Sequence, residues 1–431
     1  MTDNPTPPQN GTSGDEPALP LSNLLPTSTG HIVSTKGLLE RIVEQVRAEF
    51  DDARLMAASP TEQRTLIRDV AQYVISVENV VLTTTEQARL IQQAASELLG
   101  YGVLDPLLQD ESITTVLIDG LDGVAVRRGP GSELEALPTV FDDHGHLRRV
   151  VDRLLLNANV RPTQQLPIVE TGLTLYGRRA SLNVALPPFV PQVRVDIRLH
   201  GREARSFDDW VRLGIISPRA VTLLQHLAES SYGLMVVGDT ESGKTTLLNM
   251  LGRSLTTSWG VVERAPELHV EPSVPRLTVH YADNAVEART LAQRVHEALA
   301  MNLETLLLDE VRADEPEAIA PLLLEPAPRQ IWSFRGTAEP KRMKAALTIL
   351  VQRATGARYE EALSALFERL PFVVMLKRRR SGLRLVEIAE WQQQGDSVVL
   401  VSLLRGEGDD HVPTGLAPMR ELPLPAMFWK P

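Results

Sequence analysis

A phosphate-binding pattern carries the most specific chemistry in this sequence. Residues Gly238 to Thr245 match G-x-x-x-x-G-K-[ST], in which the glycines allow a turn tight enough for successive backbone N–H groups to face one anion. In such a loop the ammonium group of Lys244 reaches the outer phosphates, and the hydroxyl of Thr245 suits a magnesium ion. The pattern therefore predicts a nucleotide-binding loop and helix start made of Gly238, Asp239, Thr240, Glu241, Ser242, Gly243, Lys244, Thr245 and Thr246.

The segments on either side fit a phosphate loop. The apolar run 234–237 leads into it as a buried strand does, and an amphipathic helix follows from Thr246 to Leu251. The positive N-terminal end of that helix points at the phosphates. A plain Gly-rich turn is the alternative, and the strand before it and the helix after it argue against that interpretation.

Two groups of acids supply the further chemistry that hydrolysis needs. The apolar segment 305–308 is followed by Asp309 and Glu310, as in a buried strand that presents carboxylates at its C-terminal end. We expect Asp309 to hold the water shell of magnesium and Glu310 to orient or deprotonate the attacking water. Glu263 and Glu267 follow another short apolar segment. Either glutamate serves the same metal or water, or both lie in a solvated loop, and the sequence leaves the two interpretations open.

Composition narrows the class of protein. A chain of 431 residues with 43% apolar residues is long and apolar enough for two or three folded domains. The net charge of -11 argues against broad binding to nucleic acid, and the absence of cysteine excludes disulfides and thiol catalysis. Apolar runs are too short to span a bilayer and the N-terminus does not resemble a secretory signal, so we expect a cytoplasmic protein.

The pattern along the chain predicts a disordered tail and then three folded parts. Helical spacing of apolar residues predicts a small bundle, strand–turn–strand segments predict an α+β domain, and alternating strands and helices predict a parallel-sheet nucleotide-binding core. The predicted fold class is therefore α/β. The predicted limits are 1–35 for the tail, 36–103 for the helical bundle, 104–200 for the α+β domain, 201–209 for a hinge and 210–431 for the phosphate-loop domain.

Several motifs together resemble the type II/type IV secretion ATPase superfamily, and within it the CpaF-like ATPases of Tad pilus assembly. The resemblance covers nearly everything from about residue 36 to 400. In chain order, the motifs are Tyr101–Gly120, similar to "PLL…D..IT.I.VNG"; Asp196–Arg198, similar to "IRK"; the Walker A loop Gly238–Thr246; Glu263–Leu268, similar to the acidic "EDTAEL" box; Leu308–Arg312, similar to the Walker B "VGEVR"; and Leu385–Glu390, similar to "VVEITEV".

The resemblance implies a RecA-like, phosphate-loop ATPase domain preceded by a PAS-like α+β domain, with ATP and Mg²⁺ between the two. It implies that Arg198 approaches the nucleotide and that Glu263 and Glu267 assist Glu310 in catalysis. It also implies a hexameric ring, formed by this chain alone or mixed with a paralogue, that works with the inner-membrane platform of a pilus or secretion machine. The protein is then peripheral to the inner face of the cell membrane.

Departures from the family pattern define a second hypothesis. The family's "GHDGSLSTIHA" box has lost both histidines, and Ala327 and Arg335 occupy their places. Arg264 stands where the acidic box has an aspartate, and Ser181 stands where the N-terminal domain often has an arginine. Lost cations weaken transition-state stabilisation in phosphoryl transfer. The two hypotheses are an active ATPase motor and a nucleotide-binding scaffold or regulatory subunit with weak or no hydrolysis.

Overall fold

A computed structural model describes most of the chain beyond its first 31 residues. The described residues are 24–26, 32–129, 132–138, 140–160, 168–201, 205–281, 287–324, 327–337, 339–356, 358–379, 382–395, 397–408 and 410–431. The chain folds into two compact units, Met1–Asp105 and Pro106–Pro431. Most of the predicted tail lies outside the described residues, and the predicted domain limits stay predictions.

The first unit is helical. Its core consists of apolar residues at helical spacing, such as Leu38, Ile42 and Val46 on one face of the first helix. Capping boxes at Ser59 and Thr83 begin two of the helices. Its elements are β1 Leu24–Pro26, β2 Ile32–Ser34, α1 Thr35–Glu49, α2 Asp52–Ala57, α3 Pro60–Val77, α4 Thr84–Leu99 and a 3-10 turn Gly102–Leu104.

The three helices predicted for this region are confirmed as α1, α3 and α4. Helix α2 was not predicted, because six residues are too few to show a helical period. Within the described residues, none of the helices combines the length and the apolar character that crossing a bilayer demands.

A six-stranded antiparallel sheet opens the second unit. Its strand order is β5-β4-β3-β8-β7-β6, and α6 accompanies it with one face buried. The strand–turn–strand pattern predicted for this region is confirmed by β3 and β4, and strands β5 to β8 complete the sheet. The bounds are α5 Asp105–Gln109, which crosses the limit between the units, β3 Ile113–Asp119, β4 Gly123–Arg128, β5 Leu134–Ala136, α6 His144–Asn157, β6 Ile168–Leu175, β7 Arg178–Ala185 and β8 Arg194–Leu199.

A nine-stranded sheet forms the centre of the rest of this unit. Its order is β11-β10-β12-β13-β9-β14-β15-β16-β17, parallel from β11 to β14 and antiparallel from β14 onward. The strands are β9 Leu234–Gly238, β10 Trp259–Glu263, β11 Arg276–Thr278, β12 Thr305–Val311, β13 Arg329–Arg335, β14 Phe372–Arg379, β15 Gly382–Gln394, β16 Ser397–Glu407 and β17 Asp410–Pro413.

Helices cover both faces of this sheet, and alternate strand residues point to opposite sides. In β9, Leu234 and Val236 pack with α8 and α9, whereas Met235 and Val237 pack with α10 to α13. The helices are α7 Phe207–Arg212, α8 Pro218–Glu229, α9 Lys244–Arg253, α10 Leu291–Leu299, α11 Pro316–Leu324, α12 Pro340–Thr355 and α13 Tyr359–Arg369, with a final 3-10 turn Ala426–Trp429. The mixed α/β fold class is confirmed, and the RecA-like and PAS-like assignments stay predictions.

The parallel strands place their carboxyl ends at one edge of the sheet. Gly238 at the end of β9 pairs with Arg335 at the end of β13, and Val262 near the end of β10 pairs with Leu308 of β12. Ligand sites in parallel α/β sheets form at such an edge. The phosphate-binding pattern and both predicted groups of acids therefore come together there, although Gly238 and Glu310 are 72 positions apart in the sequence.

Candidate functional site

The predicted phosphate loop has the expected local structure. Strand β9 ends at Gly238 and α9 begins at Lys244, so the turn between them leads directly into a helix N-terminus. Gly243 at the N-cap has a φ of 82°, a left-handed conformation that favours glycine. A Cβ on Gly238 would lie 2.3 Å from Ser242 Oγ and 2.6 Å from Leu376 O. Both glycines of the pattern are thus required by the backbone itself.

Lys244 is buried in this turn with its charge held by the loop. Its Nζ donates a hydrogen bond of 2.8 Å to the carbonyl oxygen of Asp239. Burial lowers the pKa of Lys244, while the negative charges of Glu310 and Asp309 oppose the change. A carbonyl is a weaker partner for an ammonium group than an anion is. A phosphate in the turn would therefore compete favourably for this lysine.

Thr245, Asp309 and Ser333 form a compact polar cluster beside the lysine. Thr245 Oγ1 donates to Asp309 Oδ1 over 3.2 Å, and Ser333 Oγ donates to the same oxygen over 2.5 Å. Burial raises the pKa of Asp309 to about 7, with a further contribution from the charge of Glu267, although the two hydroxyl groups oppose the rise. The threonine and the aspartate predicted to share a magnesium ion are therefore neighbours.

A β-bulge in β12 separates the two acids that follow the apolar strand. Leu308 pairs with Trp332 and Val311 with Phe334, so two residues of β12 oppose the single residue Ser333. Glu310 has a φ of 58°, which is uncommon for a non-glycine residue, and its N–H donates to Ser333 Oγ over 2.7 Å. The bulge turns Glu310 away from the regular alternation of the strand, and Ser333 holds both acids.

Two arginines surround the carboxylate of Glu310. Its Oε1 lies 3.1 Å from Arg312 Nη2 and 3.5 Å from Arg335 Nη1. Arg312 is also paired with Glu170 of β6, which links this end of the nine-stranded sheet to the six-stranded one. Both arginines are permanent cations at pH 7. Glu310 is thus held in an ion pair.

Glu263 ends β10 and lies fully buried. Its Oε2 accepts from the backbone N–H groups of Glu267 and Leu268 at 3.1 and 3.2 Å, and its Oε1 lies 2.7 Å from Arg276 Nε. Burial raises the pKa of Glu263 to about 8, while Arg276 and the Leu268 N–H oppose the rise. The contacts of Glu263 are those of a residue that shapes the turn after β10.

Glu267 faces the six-stranded sheet across that turn. Ser181 Oγ donates to Glu267 Oε1, and His200 Nε2 lies 3.7 Å from the same oxygen and 2.7 Å from Ser181 Oγ. Burial raises the pKa of Glu267 and lowers that of His200 to about 4, so the imidazole is neutral at pH 7. Ser181 thus joins the six-stranded sheet to the acidic turn after β10.

Arg198 belongs to the six-stranded sheet, and Glu241 belongs to the phosphate loop. Arg198 Nη2 is 2.9 Å from Asp196 Oδ2 on β8 and lies within electrostatic reach of Glu241 and Glu267. Glu241 is paired with Arg127 of β4. The boundary between the two sheets of the second unit therefore carries charged groups from both sides.

The arrangement brings together most of the predicted site. Lys244, Thr245, Asp309 and Glu310 lie around one edge, Glu267 and Arg198 border it, and Glu263 is enclosed beneath it. No group of three or more His, Cys, Asp and Glu suited to a metal ion occurs in the described ranges. A magnesium ion in such a site keeps several waters and draws other ligands from phosphate oxygens, so a protein cage is not needed. The residues present suit an anion with an accompanying divalent cation.

The sequence did not mark Ser333, Arg127, His200 and Glu170 as site residues, although each contacts a charged residue of the site. Ser333 follows the buried Trp332 within β13, two residues before the strand ends at Arg335. Its place near the end of a strand is the one signal that the sequence offers. The other three belong to the six-stranded sheet or its end, where no motif marks them.

Comparison with known proteins places these features in a family. The family model described as type II/IV secretion system protein matches residues 100–321, which is just over half of the 431 residues. A Mycobacterium tuberculosis protein named as a candidate conjugal transfer protein is 29% identical over 243 residues, covering 54% of this chain and 68% of that one. TrbB, a candidate conjugal transfer protein of Sinorhizobium fredii, is 27% identical over 152 residues, covering 34% of this chain and 44% of that one.

One solved structure with a similar chain is the VirB11 ATPase from the Brucella suis type IV secretion system, with a TM-score of 0.35 and 20% identity over 70% of this chain and 96% of that one. The family match covers the six-stranded sheet and strands β9 to β12 of the nine-stranded sheet, and it includes the phosphate loop together with Asp309 and Glu310. The chain belongs to the type II/IV secretion system protein family.

Proposed function

We propose that the chain binds ATP with Mg²⁺ on the loop 238–245 and couples ATP hydrolysis to the work of a secretion, conjugal transfer or Tad-like pilus machine. The observation that carries this proposal is the 3.2 Å contact between Thr245 Oγ1 and Asp309 Oδ1 beside the buried Lys244. A nucleoside triphosphate needs an anion-binding turn, a lysine and a magnesium ligand in one place. These three requirements meet at one sheet edge.

The residues have distinct roles in this proposal. Lys244 exchanges the carbonyl of Asp239 for an outer phosphate oxygen, and the N–H groups at the start of α9 hold the phosphates. Thr245 ligates Mg²⁺, and Asp309 holds its water shell. Bound magnesium supplies charge neutralisation between the outer phosphates. Glu310 orients the attacking water, and Glu267 assists from the boundary between the two sheets.

A second candidate, a nucleotide-binding scaffold or regulatory subunit with weak or no hydrolysis, is favoured by a specific observation. The carboxylate of Glu310 is engaged by Arg312 and Arg335, so these contacts compete with a water that the carboxylate would have to orient. The degenerate histidine box, with Ala327 and Arg335 at the histidine positions, points in the same direction. Arg335 lies close enough to Lys244 to influence its pKa, so it is also placed to stabilise phosphate charge.

We also propose a CpaF-like assembly. Membership of the secretion family and the conjugal-transfer names of two relatives support a hexameric ring, formed by this chain alone or mixed with a paralogue. In that ring the protein is cytoplasmic and peripheral to the inner face of the membrane, bound to the platform proteins of the machine. Nucleic acid is not expected as a direct partner, given the net charge of -11.

Steady-state ATP hydrolysis and ATP binding, measured on the same samples at fixed magnesium, test the proposal. The variants are Lys244→Ala and Glu310→Gln, and Lys341→Ala, an exposed lysine at the start of α12, is the matched control. Turnover abolished by both site variants and kept by the control supports the motor. Binding that needs Lys244, with turnover no higher than in the variants, selects the scaffold. Binding that is absent or independent of Lys244 rejects both.

A further inference from the structure

The phosphate loop contains an acid at a position where a bound phosphate would repel it. Glu241 lies between Gly238 and Lys244, and its φ of 60° places it in the left-handed region. A non-glycine side chain in this conformation is strained. An anionic side chain in an anion-binding turn is a second unfavourable feature. Something in the surrounding structure must hold this residue.

An arginine from the other sheet neutralises that acid. Arg127 Nη1 on β4 bonds both carboxylate oxygens of Glu241, and the two side chains are only 22% and 24% exposed. The neighbouring Arg128 extends from the opposite face of the strand, where it pairs with Asp110 over 2.5 Å. The strand therefore directs one arginine of the pair specifically at the phosphate loop.

A second arginine holds the backbone of the same residue. Arg378 Nε on β14 donates to the carbonyl oxygen of Glu241 over 2.8 Å. The carboxylate is thus drawn toward the six-stranded sheet while the main chain is bonded to the nine-stranded sheet. Meanwhile the ammonium group of Lys244 remains on Asp239 O and takes no part in neutralising Glu241.

We propose that Arg127 is a positioning residue for the phosphate loop, because it neutralises the Glu241 carboxylate and draws it away from the phosphate position. This inference rests on the proposed binding of a nucleoside triphosphate by the loop. Without Arg127, Glu241 loses its ion-pair partner, and its carboxylate is free to turn toward the incoming phosphates. Removing the acid then restores binding, because Arg127 acts through Glu241 and not through the nucleotide.

A double-mutant cycle in ATP affinity tests the inference. The proteins are the wild type, Arg127→Gln, Glu241→Gln and the double variant, and glutamine keeps the length of the glutamate and its backbone strain while removing its charge. We expect Arg127→Gln to weaken ATP binding about three- to tenfold, as a partly buried charge pair warrants, and Glu241→Gln not to weaken it. The double variant should bind as Glu241→Gln does.

Controls separate this inference from the proposed function. Arg128→Gln removes an arginine from the same strand without touching Glu241 and should bind ATP as the wild type does. If ATP binding depends on Lys244 but Arg127→Gln binds ATP with the same affinity as Arg128→Gln, the inference is wrong and the proposed function stands. A weakening by Arg127→Gln that persists in the double variant makes Arg127 a direct nucleotide contact and also overturns the inference. Wild-type protein that does not bind ATP overturns both.

Folding is checked by thermal unfolding of each variant. If Arg127→Gln does not fold, Arg127→Lys replaces it, because lysine keeps the charge but not the two-point geometry of the guanidinium group. Arg127→Lys should then show a smaller loss of affinity, which Glu241→Gln again removes. A loss that Glu241→Gln leaves unchanged contradicts the inference.

Discussion

Replacing Ser333 with alanine should damage both the stability and the metal response of this protein. Ser333 is 1% exposed, accepts from the Glu310 N–H over 2.7 Å and donates to Asp309 Oδ1 over 2.5 Å. Each buried polar group that loses its partner costs about 1–3 kcal/mol. Two such groups lose a partner, although Asp309 keeps its bond from Thr245, so we expect Ser333→Ala to lower the free energy of unfolding by about 2–4 kcal/mol.

The measurement is urea unfolding at pH 7.5, followed by titration of Mg²⁺ in an ATP-binding assay. Ser402→Ala is the matched control, because Ser402 lies on β16 of the same sheet and its buried Oγ has no hydrogen-bond partner among the described residues. We expect the free energy of unfolding of Ser402→Ala to stay within about 0.5 kcal/mol of that of the wild type. Equal stability and equal magnesium response of the two variants would refute the role given to Ser333.

Three further results are expected. Because the pKa of Asp309 is about 7, Mg²⁺ must displace a proton from this carboxyl group below that pH. The Mg²⁺-dependent affinity for ATP should therefore rise between about pH 6 and pH 8, by up to about tenfold per pH unit below the pKa. Asp309→Asn should remove this pH dependence. Gly172→Ala places a Cβ 2.3 Å from Pro266 Cδ, and a proline ring cannot rotate away from it. The free energy of unfolding in urea should therefore fall by about 1–3 kcal/mol. An unchanged free energy of unfolding would contradict the close contact. Arg312→Gln removes a counter-ion of Glu170, so it should lower the thermal unfolding midpoint more at low salt than at high salt. An equal decrease at both salt concentrations would mean that Arg312 stabilises the protein by packing and not by its charge.

The phosphate loop was predictable because its structure is encoded locally. Strand, turn and helix follow one another within about twenty residues, so the apolar run, the glycines and the helical period all point to the same local structure. Asp309 and Glu310 were predictable for a similar reason, since an apolar strand that ends in acids places those acids at the end of the strand. The predicted strands of β9 and β12 are both confirmed.

The bulge at Glu310 was not predictable. Its left-handed φ arises from the mismatch between β12 and β13, and that mismatch depends on which strands become neighbours. Glu241 likewise takes a left-handed conformation that its side chain disfavours, and contacts from two different sheets hold it there. Sequence patterns reveal such residues only where glycine occupies them.

Sequence reasoning also could not decide the roles of the acids after β10. Glu263 and Glu267 were equally eligible as catalytic groups or as parts of a solvated loop. The structure encloses Glu263 with Arg276 and turns Glu267 toward Ser181 and His200. This difference depends on packing between the two sheets, which the sequence of a single segment does not reveal.

Local order along the chain was therefore enough to predict the glycine-rich turn with its flanking strand and helix, the acidic strand and the α/β class, all of which are confirmed, whereas phosphate binding by the turn stays a prediction. The neighbours of each charged group required the folded molecule, because the strand order β12-β13-β9 brings Ser333 between the acids and the phosphate loop, and the contact between sheets brings Arg127 to Glu241. Backbone propensity and hydrophobic period act over a few residues, whereas ion pairs and buried hydrogen bonds act through space between segments that the chain leaves far apart.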